Sequence, residues 1–157
     1  GTYEYHPTHV DLLKVLEKVE KELSSHITAK GIKLDTIVNG EHTRQTTCYV
    51  QGEELLCHSL LSNLIKNAIE ASPKNENIAL TFTEYPGQNS RVISIHNRGA
   101  IPEHIRGNFG GKYVTSGKYK GTGLGVYSAR LITETMDGEF SWSSSSEEGT
   151  TIYITLP

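Results

Sequence analysis

The sequence predicts a single soluble α/β or α+β domain, on three observations. Residues 9–28 and 53–71 repeat apolar side chains at the helical period. Shorter segments around them are β-branched or alternate between apolar and polar residues, as strands do. Finally, 157 residues with 36% hydrophobic content suffice for one compact core and are too few for two ordinary domains.

The elements follow in order. Leu12, Val15, Leu16, Val19, Leu23 and Ile27 predict a first helix over 9–28, with Gly31 as its stop. "IKLDTIV" at 32–38 and "TTCYVQ" at 46–51 flank the turn-like "NGEH" and predict two strands paired with each other. From Glu53 to Ala71, Leu56, Cys57, Leu60, Leu61, Leu64 and Ala68 share one helical face. Ser72-Pro73 ends that helix, because the residue before a proline avoids the helical region. "NIALTFTEY" at 77–85 and "SRVISIHN" at 90–97 predict strands joined by the turn "PGQN". A third helix is expected over about 124–136, then a closing hairpin of "GEFSWSSS" and "GTTIYITLP". The serine run 143–146 reads as an exposed strand edge or turn, and 98–123, without sustained period, as a long functional loop.

Charge and composition narrow the function. A formal charge of -3, a pI near 6.2 and dispersed Lys and Arg leave no basic stripe, so no nucleic-acid partner is expected. No apolar run reaches membrane-spanning length, and "GTYEYHPTHVD" lacks a signal pattern. A cytoplasmic location without direct membrane contact is expected, although a longer parent could carry a membrane anchor. Cys48 and Cys57 read as reduced, buried thiols rather than a disulfide or metal site.

Two motifs carry the chemistry. "KYKGTGLGVYSAR" sets Gly121, Gly123 and Gly125 at alternate positions ahead of the third helix. It fails the dinucleotide fingerprint, because Val126 replaces the last glycine, and "GKYVTSGKY" just ahead of it fails the P-loop, because the spacing from Gly111 to Gly117 is one too long and Tyr119 stands at the hydroxyl position. Its glycines would still let backbone N–H groups approach a phosphate chain at a helix N-terminus. In "LLSNLIKNAIEAS", Asn63, Asn67 and Glu70 fall on one helical stripe beside an apolar face. Asparagine is a mediocre helix former, and its amide oxygen is a hard neutral ligand suited to a hydrated magnesium ion.

An asparagine helix followed some fifty residues later by "GTGLG" resembles the catalytic ATP-binding domain of sensor histidine kinases, a Bergerat fold shared with gyrase, Hsp90 and MutL. The resemblance covers nearly the whole of residues 1–157 and implies a two-layer sandwich: a mixed, mostly antiparallel sheet with three helices on one face. It makes "NLIKNAIEA" the N box, with Asn67 on magnesium and Asn63 a turn earlier. "GTGLG" becomes the phosphate-wrapping G2 box of Gly121, Thr122, Gly123, Leu124 and Gly125. "HNRGAIP" becomes the adenine-contacting G1 box, with Asn97, Gly99 and Ile101, while Thr150 of the last strand helps bind adenine through water. "GNFGGKYVTSGK" resembles the ATP lid, with Phe109 and Tyr113 as anchors.

The implied cofactors are ATP and magnesium, and the implied reaction is γ-phosphoryl transfer to a histidine on a separate dimerisation and phosphoacceptor domain, absent from this chain. The parent would act as a homodimer and pass the phosphoryl group to a response regulator. Asn63 stands where the ATP hydrolases of the superfamily carry a glutamate, so it would orient the accepting group rather than activate water.

Three departures accompany the resemblance. Asn97 replaces the G1 aspartate in a motif one residue short, which predicts weaker discrimination between ATP and GTP because an amide can turn and donate. Glu70 replaces a lysine facing the γ-phosphate, so Lys118, or else Lys112 or Lys120, must meet that charge. None of His6, His9, His26, His42, His58, His96 and His104 sits in a phosphoacceptor setting. The rival reading is a nucleotide-binding or docking module that has lost transfer activity.

Overall fold

The computed structural model describes residues 3–101 and 124–157. Strand β1 (Thr8–Asp11) leads into helices α1 (Leu12–Glu22) and α2 (Ser24–Lys30), then strands β2 (Lys33–Val38) and β3 (Tyr49–Gly52). Helix α3 (Glu54–Ala71) follows, then β4 (Asn77–Tyr85), a 3-10 turn (Pro86–Gln88) and β5 (Ser90–Asn97). The chain closes with α4 (Leu124–Thr135), β6 (Glu139–Ser145) and β7 (Gly149–Leu156).

Five strands form one sheet in the order β2-β4-β5-β7-β6, in which only β2 and β4 run parallel. Alternation decides which face is covered. Leu80, Ile95, Ile152 and Trp142 lie in one cross-strand row with Ile95 and Ile152 buried, whereas the neighbouring row of Thr81, Ser94, Tyr153 and Ser141 carries small or amphipathic side chains. Helix α3 packs against β5, α4 packs against β6 and β7, and α1 and α4 flank α3. Leu60, Leu61, Leu64 and Ile65 of α3 meet Ile78, Leu80 and Phe82 of β4 in one core. Burying each such side chain contributes about 1.5–3 kcal/mol. The expected two-layer sandwich is therefore present, with four helices among the described residues instead of three.

The fourth helix comes from the expected first one. Residues 9–28 do not form a continuous helix: Thr8–Asp11 pair antiparallel with Tyr49–Gly52, and Leu23 leaves helical geometry at φ -96°, ψ 7°. Asp11 caps α1, its carboxylate accepting from Leu13 N at 3.1 Å and from Cys48 N at 3.1 Å. That capping ties the start of α1 to the chain entering β3. Consequently the expected pairing of 32–38 with 46–51 is also corrected: β2 joins β4, and β3 joins β1. Gly31 ends α2 in the left-handed conformation, as its position suggested.

Cys48 and Cys57 are free and buried. Burial in apolar surroundings pushes both thiols up to about 12. Among the described residues, no helix is long and apolar enough to cross a membrane.

Candidate functional site

The site begins where the apolar rows of the sheet stop. One step beyond the Ile95–Ile152–Trp142 row, the register sets Asn97 opposite Thr150 and Thr150 opposite Ser144, a polar row across β5, β7 and β6. Asn97 and Thr150 are only 3% and 2% exposed, so their polar atoms need partners within the protein. They have them. Thr150 Oγ1 donates to Gly99 O at 2.7 Å and lies 2.9 Å from Ser144 Oγ, which accepts from Ile101 N at 2.8 Å. Asn97 Nδ2 donates to Arg98 O at 2.8 Å.

Two glycines allow the chain to close in around this row. Gly99 has φ +110°, and a Cβ there would meet Ala71 O of α3 at 2.8 Å. Gly149, at φ +82°, lies so close to β5 that a Cβ would fall 2.4 Å from Asn97 O. The turn after β5 is thus wedged between the C-terminal end of α3 and the β6–β7 hairpin. Ile101 ends it fully buried.

Helix α3 forms the adjoining wall. Asn63, Asn67 and Glu70 are half-buried along one stripe, as their spacing required. Opposite them α4 starts: a Cβ built on Gly125 would lie 3.9 Å from Asn63 Oδ1. The C-terminal end of α3 is also held by Lys30, whose Nζ donates to Ile69 O at 2.6 Å and Glu70 O at 3.1 Å. Ile69 O also accepts from the C-cap Ser72 N at 3.3 Å, and Glu70 O is among the carbonyls that a helix end leaves without an intrahelical partner. Burial raises the pKa of the Glu70 carboxyl, with Lys66, His26 and Lys30 acting in the opposite direction. Among the described residues no three His, Cys, Asp or Glu side chains gather to hold a metal ion. With the Glu70 carboxylate, the neutral amide oxygens of Asn63 and Asn67 are the oxygen donors on this stripe, a set whose chemistry fits a magnesium ion keeping most of its waters.

The structure therefore brings Asn97, Gly99, Ile101 and Thr150 together at the end of the sheet, and sets Asn63 across from Gly125. Leu124 opens α4. Lys118, Gly121, Thr122 and Gly123 lie outside the described residues, as do Lys112, Lys120, His104, Phe109 and Tyr113. Sequence reasoning missed Ser144, which is one serine among several, and the contact of Ala71 with Gly99. Only the β6–β7 register singles out Ser144.

Comparison with known proteins bears on the family and the fold. The pattern of the family described as "Histidine kinase-, DNA gyrase B-, and HSP90-like ATPase" matches residues 52–157. Sporulation kinase A of Bacillus subtilis (strain 168) is 28% identical over 150 residues, covering 95% of this chain and 23% of that protein. Sensor protein SrrB of Staphylococcus aureus (strain NCTC 8325 / PS 47) is 34% identical over 103 residues, covering 62% of this chain and 18% of its own length. The chain thus spans under a quarter of either relative. Among solved structures, the mycobacterial sensor histidine kinase MprB superposes with a TM-score of 0.79 at 19% identity, over 97% of both chains. The nucleotide-free catalytic domain of histidine kinase ThkA does so with 0.78 at 23%, again over 97% of both. These two likenesses show the fold. With well over half of its length inside the family pattern, the chain belongs to the histidine kinase-, DNA gyrase B- and HSP90-like ATPase family of ATP-binding domains.

Proposed function

We propose that this chain binds ATP with magnesium and transfers the γ-phosphoryl group to a histidine on a separate dimerisation and phosphoacceptor domain. Residues 1–157 are its catalytic and ATP-binding unit. The observation that carries the reading is the approach of Gly125 to Asn63, a position without a side chain in the first turn of α4 set against an amide-bearing stripe. A phosphate chain on one side and a metal ion on the other would share that gap.

The roles follow from chemistry. Asn97, Gly99, Ile101 and Thr150 form the base pocket. The backbone N–H groups of Gly121, Gly123, Leu124 and Gly125, with Thr122, hold the phosphates. Asn67 ligates magnesium, which when bound offsets phosphate charge. Lys118 meets the γ-phosphate. Asn63, whose amide is a very weak base, orients the accepting imidazole instead of activating water, so hydrolysis by the isolated chain is slow. What the protein supplies is positioning and charge neutralisation, the two demands of phosphoryl transfer. The parent protein would be a homodimer that hands the phosphoryl group to a response regulator.

The base selectivity expected from Asn97 alone changes with its surroundings. Turning the amide to donate towards a ligand would break the bond to Arg98 O and set Oδ1 against that carbonyl, acceptor facing acceptor. That bond engages one of the two amide N–H groups and fixes which way the amide points, and we assign Oδ1 to the base. It suits the exocyclic amine of adenine and not the oxygen that guanine carries there.

Calorimetric titration with ATP, with and without magnesium, tests the reading, followed by incubation with histidine-bearing helical hairpin domains. Metal-strengthened binding that Asn67→Ala abolishes, together with phosphorylation of a supplied histidine, is the expected result. Binding without transfer to any such domain would favour a nucleotide-binding module that has lost transfer activity, and no binding would defeat the kinase reading and leave a docking role as the better account.

A further inference from the structure

We infer that Ser144, on the edge strand β6, is a positioning residue of the nucleotide site, holding the turn 99–101 in the shape that receives the base. The inference rests on the nucleotide reading above. Its basis is the direction of one hydrogen-bond chain. A peptide N–H only donates and a carbonyl only accepts, so Ile101 N fixes one end of the chain and Gly99 O fixes the other. Between them Ser144 Oγ accepts from Ile101 N at 2.8 Å, and Thr150 Oγ1 donates to Gly99 O at 2.7 Å. The 2.9 Å contact between the two hydroxyls must then be Ser144 donating to Thr150. Each hydroxyl accepts once and donates once along a single direction, and such aligned bonds polarise one another.

The consequence is a two-point hold on the turn. The carbonyl of Gly99 and the N–H of Ile101 are both fastened to the β6–β7 hairpin, on the side away from Ala71. Thr150 reaches only the first of these points. Ser144 reaches the second and also orients the Thr150 hydroxyl, so its removal loosens both. Thr150 was the residue the sequence marked for base recognition, yet its proton is engaged by Gly99 O and its orientation depends on Ser144.

The test compares Ser144→Ala and Ser144→Thr with the wild-type chain. In the nucleotide-free protein, Ser144→Ala should speed amide exchange at Ile101 by about tenfold, the effect of one lost hydrogen bond of ordinary strength. It should weaken ATP binding to a similar degree and lower the thermal midpoint by a few degrees, while leaving affinity for inorganic triphosphate with magnesium nearly unchanged. Ser144→Thr, which keeps the hydroxyl, should restore both. If Ser144→Ala does not fold, Ser144→Cys, a weak donor and acceptor on a side chain of the same shape and slightly larger size, must give the same pattern in smaller degree. Unchanged exchange at Ile101 would overturn the inference, and so would equal losses for ATP and triphosphate. Failure of the wild-type chain to bind ATP would instead sink the nucleotide reading, leaving the exchange result to decide whether Ser144 holds the turn.

Discussion

Gly125 and Asn63 face one another across the contact between α4 and α3, with 3.9 Å between Asn63 Oδ1 and the point where a Cβ on Gly125 would stand. That separation is ordinary van der Waals contact, so a methyl group fits. Gly125 sits one residue inside α4, where alanine is favoured over glycine by about 0.5–1 kcal/mol. On packing alone, Gly125→Ala should therefore raise the thermal midpoint by about 2 °C. If phosphates approach this backbone, the same change should weaken ATP binding several-fold. Scanning fluorimetry and calorimetry on one preparation check both. Higher stability with unchanged affinity would remove Gly125 from the phosphate site.

Gly99 gives the opposite balance. Its φ of +110° disfavours any side chain, and the Cβ would strike a backbone oxygen, Ala71 O, at 2.8 Å. Gly99→Ala should cost about 1–3 kcal/mol in urea unfolding and abolish ATP binding, because the turn must move away from α3. Gly40 is the control, at φ +82° with nothing within 4 Å of the added carbon. Gly40→Ala should carry the strain without the displacement, losing some stability and no affinity. Equal effects of the two changes on binding would show that the Ala71 contact does not shape the pocket.

Local chemistry made most of this fold legible. The apolar stripe of 53–71 with its Ser-Pro stop became α3, and "PGQN" became the bend between β4 and β5, because each signal acts within a few residues. Pairing was not legible where it depended on distant partners. Nothing near "NGEH" reveals that β2 runs parallel to β4, and a hairpin is the natural local reading of two strands about a turn. Val10 shares the helical period with Leu13, yet it lies in β1, since pairing with Val50 outweighs the local pattern. Asp11 was the available sign, an N-cap residue just ahead of the leucines. In the site, Asn97 and Thr150 were visible through motif resemblance, whereas Ser144 acquires meaning only from cross-strand register.

Asn97 makes base selectivity measurable. With its nitrogen held by Arg98 O, the amide imitates the acceptor of a carboxylate, so GTP should compete for bound ATP at least tenfold more weakly than ATP itself. Asn97→Asp keeps an acceptor at the ligand end and should preserve that preference, at a cost in stability because its other oxygen would face Arg98 O. Asn97→Ala should lose both affinity and preference. Displacement of a fluorescent ATP analogue by each nucleotide measures the ratio, and GTP matching ATP would mean that the amide turns despite Arg98.

Alkaline pH should expose the two buried thiols. Burial raises Cys48 and Cys57 from an ordinary 9.0 to about 12, so in the folded chain both stay protonated where the unfolded chain would lose its protons. Their stabilising contribution is complete below pH 9 and is lost as the pH rises from about 9 to about 12, by about 1.4 kcal/mol per pH unit for each thiol. Urea unfolding at successive pH values should show this decline, and Cys48→Ala or Cys57→Ala should each remove about one thiol's share of the slope, whatever the variant's stability at pH 7. The other groups that titrate in this range are common to all three proteins and cancel in the comparison. A slope that survives both substitutions would place the alkaline loss elsewhere. Rapid alkylation of the folded chain at pH 8 would contradict the burial itself, because neither a thiolate nor a path for the reagent should exist there.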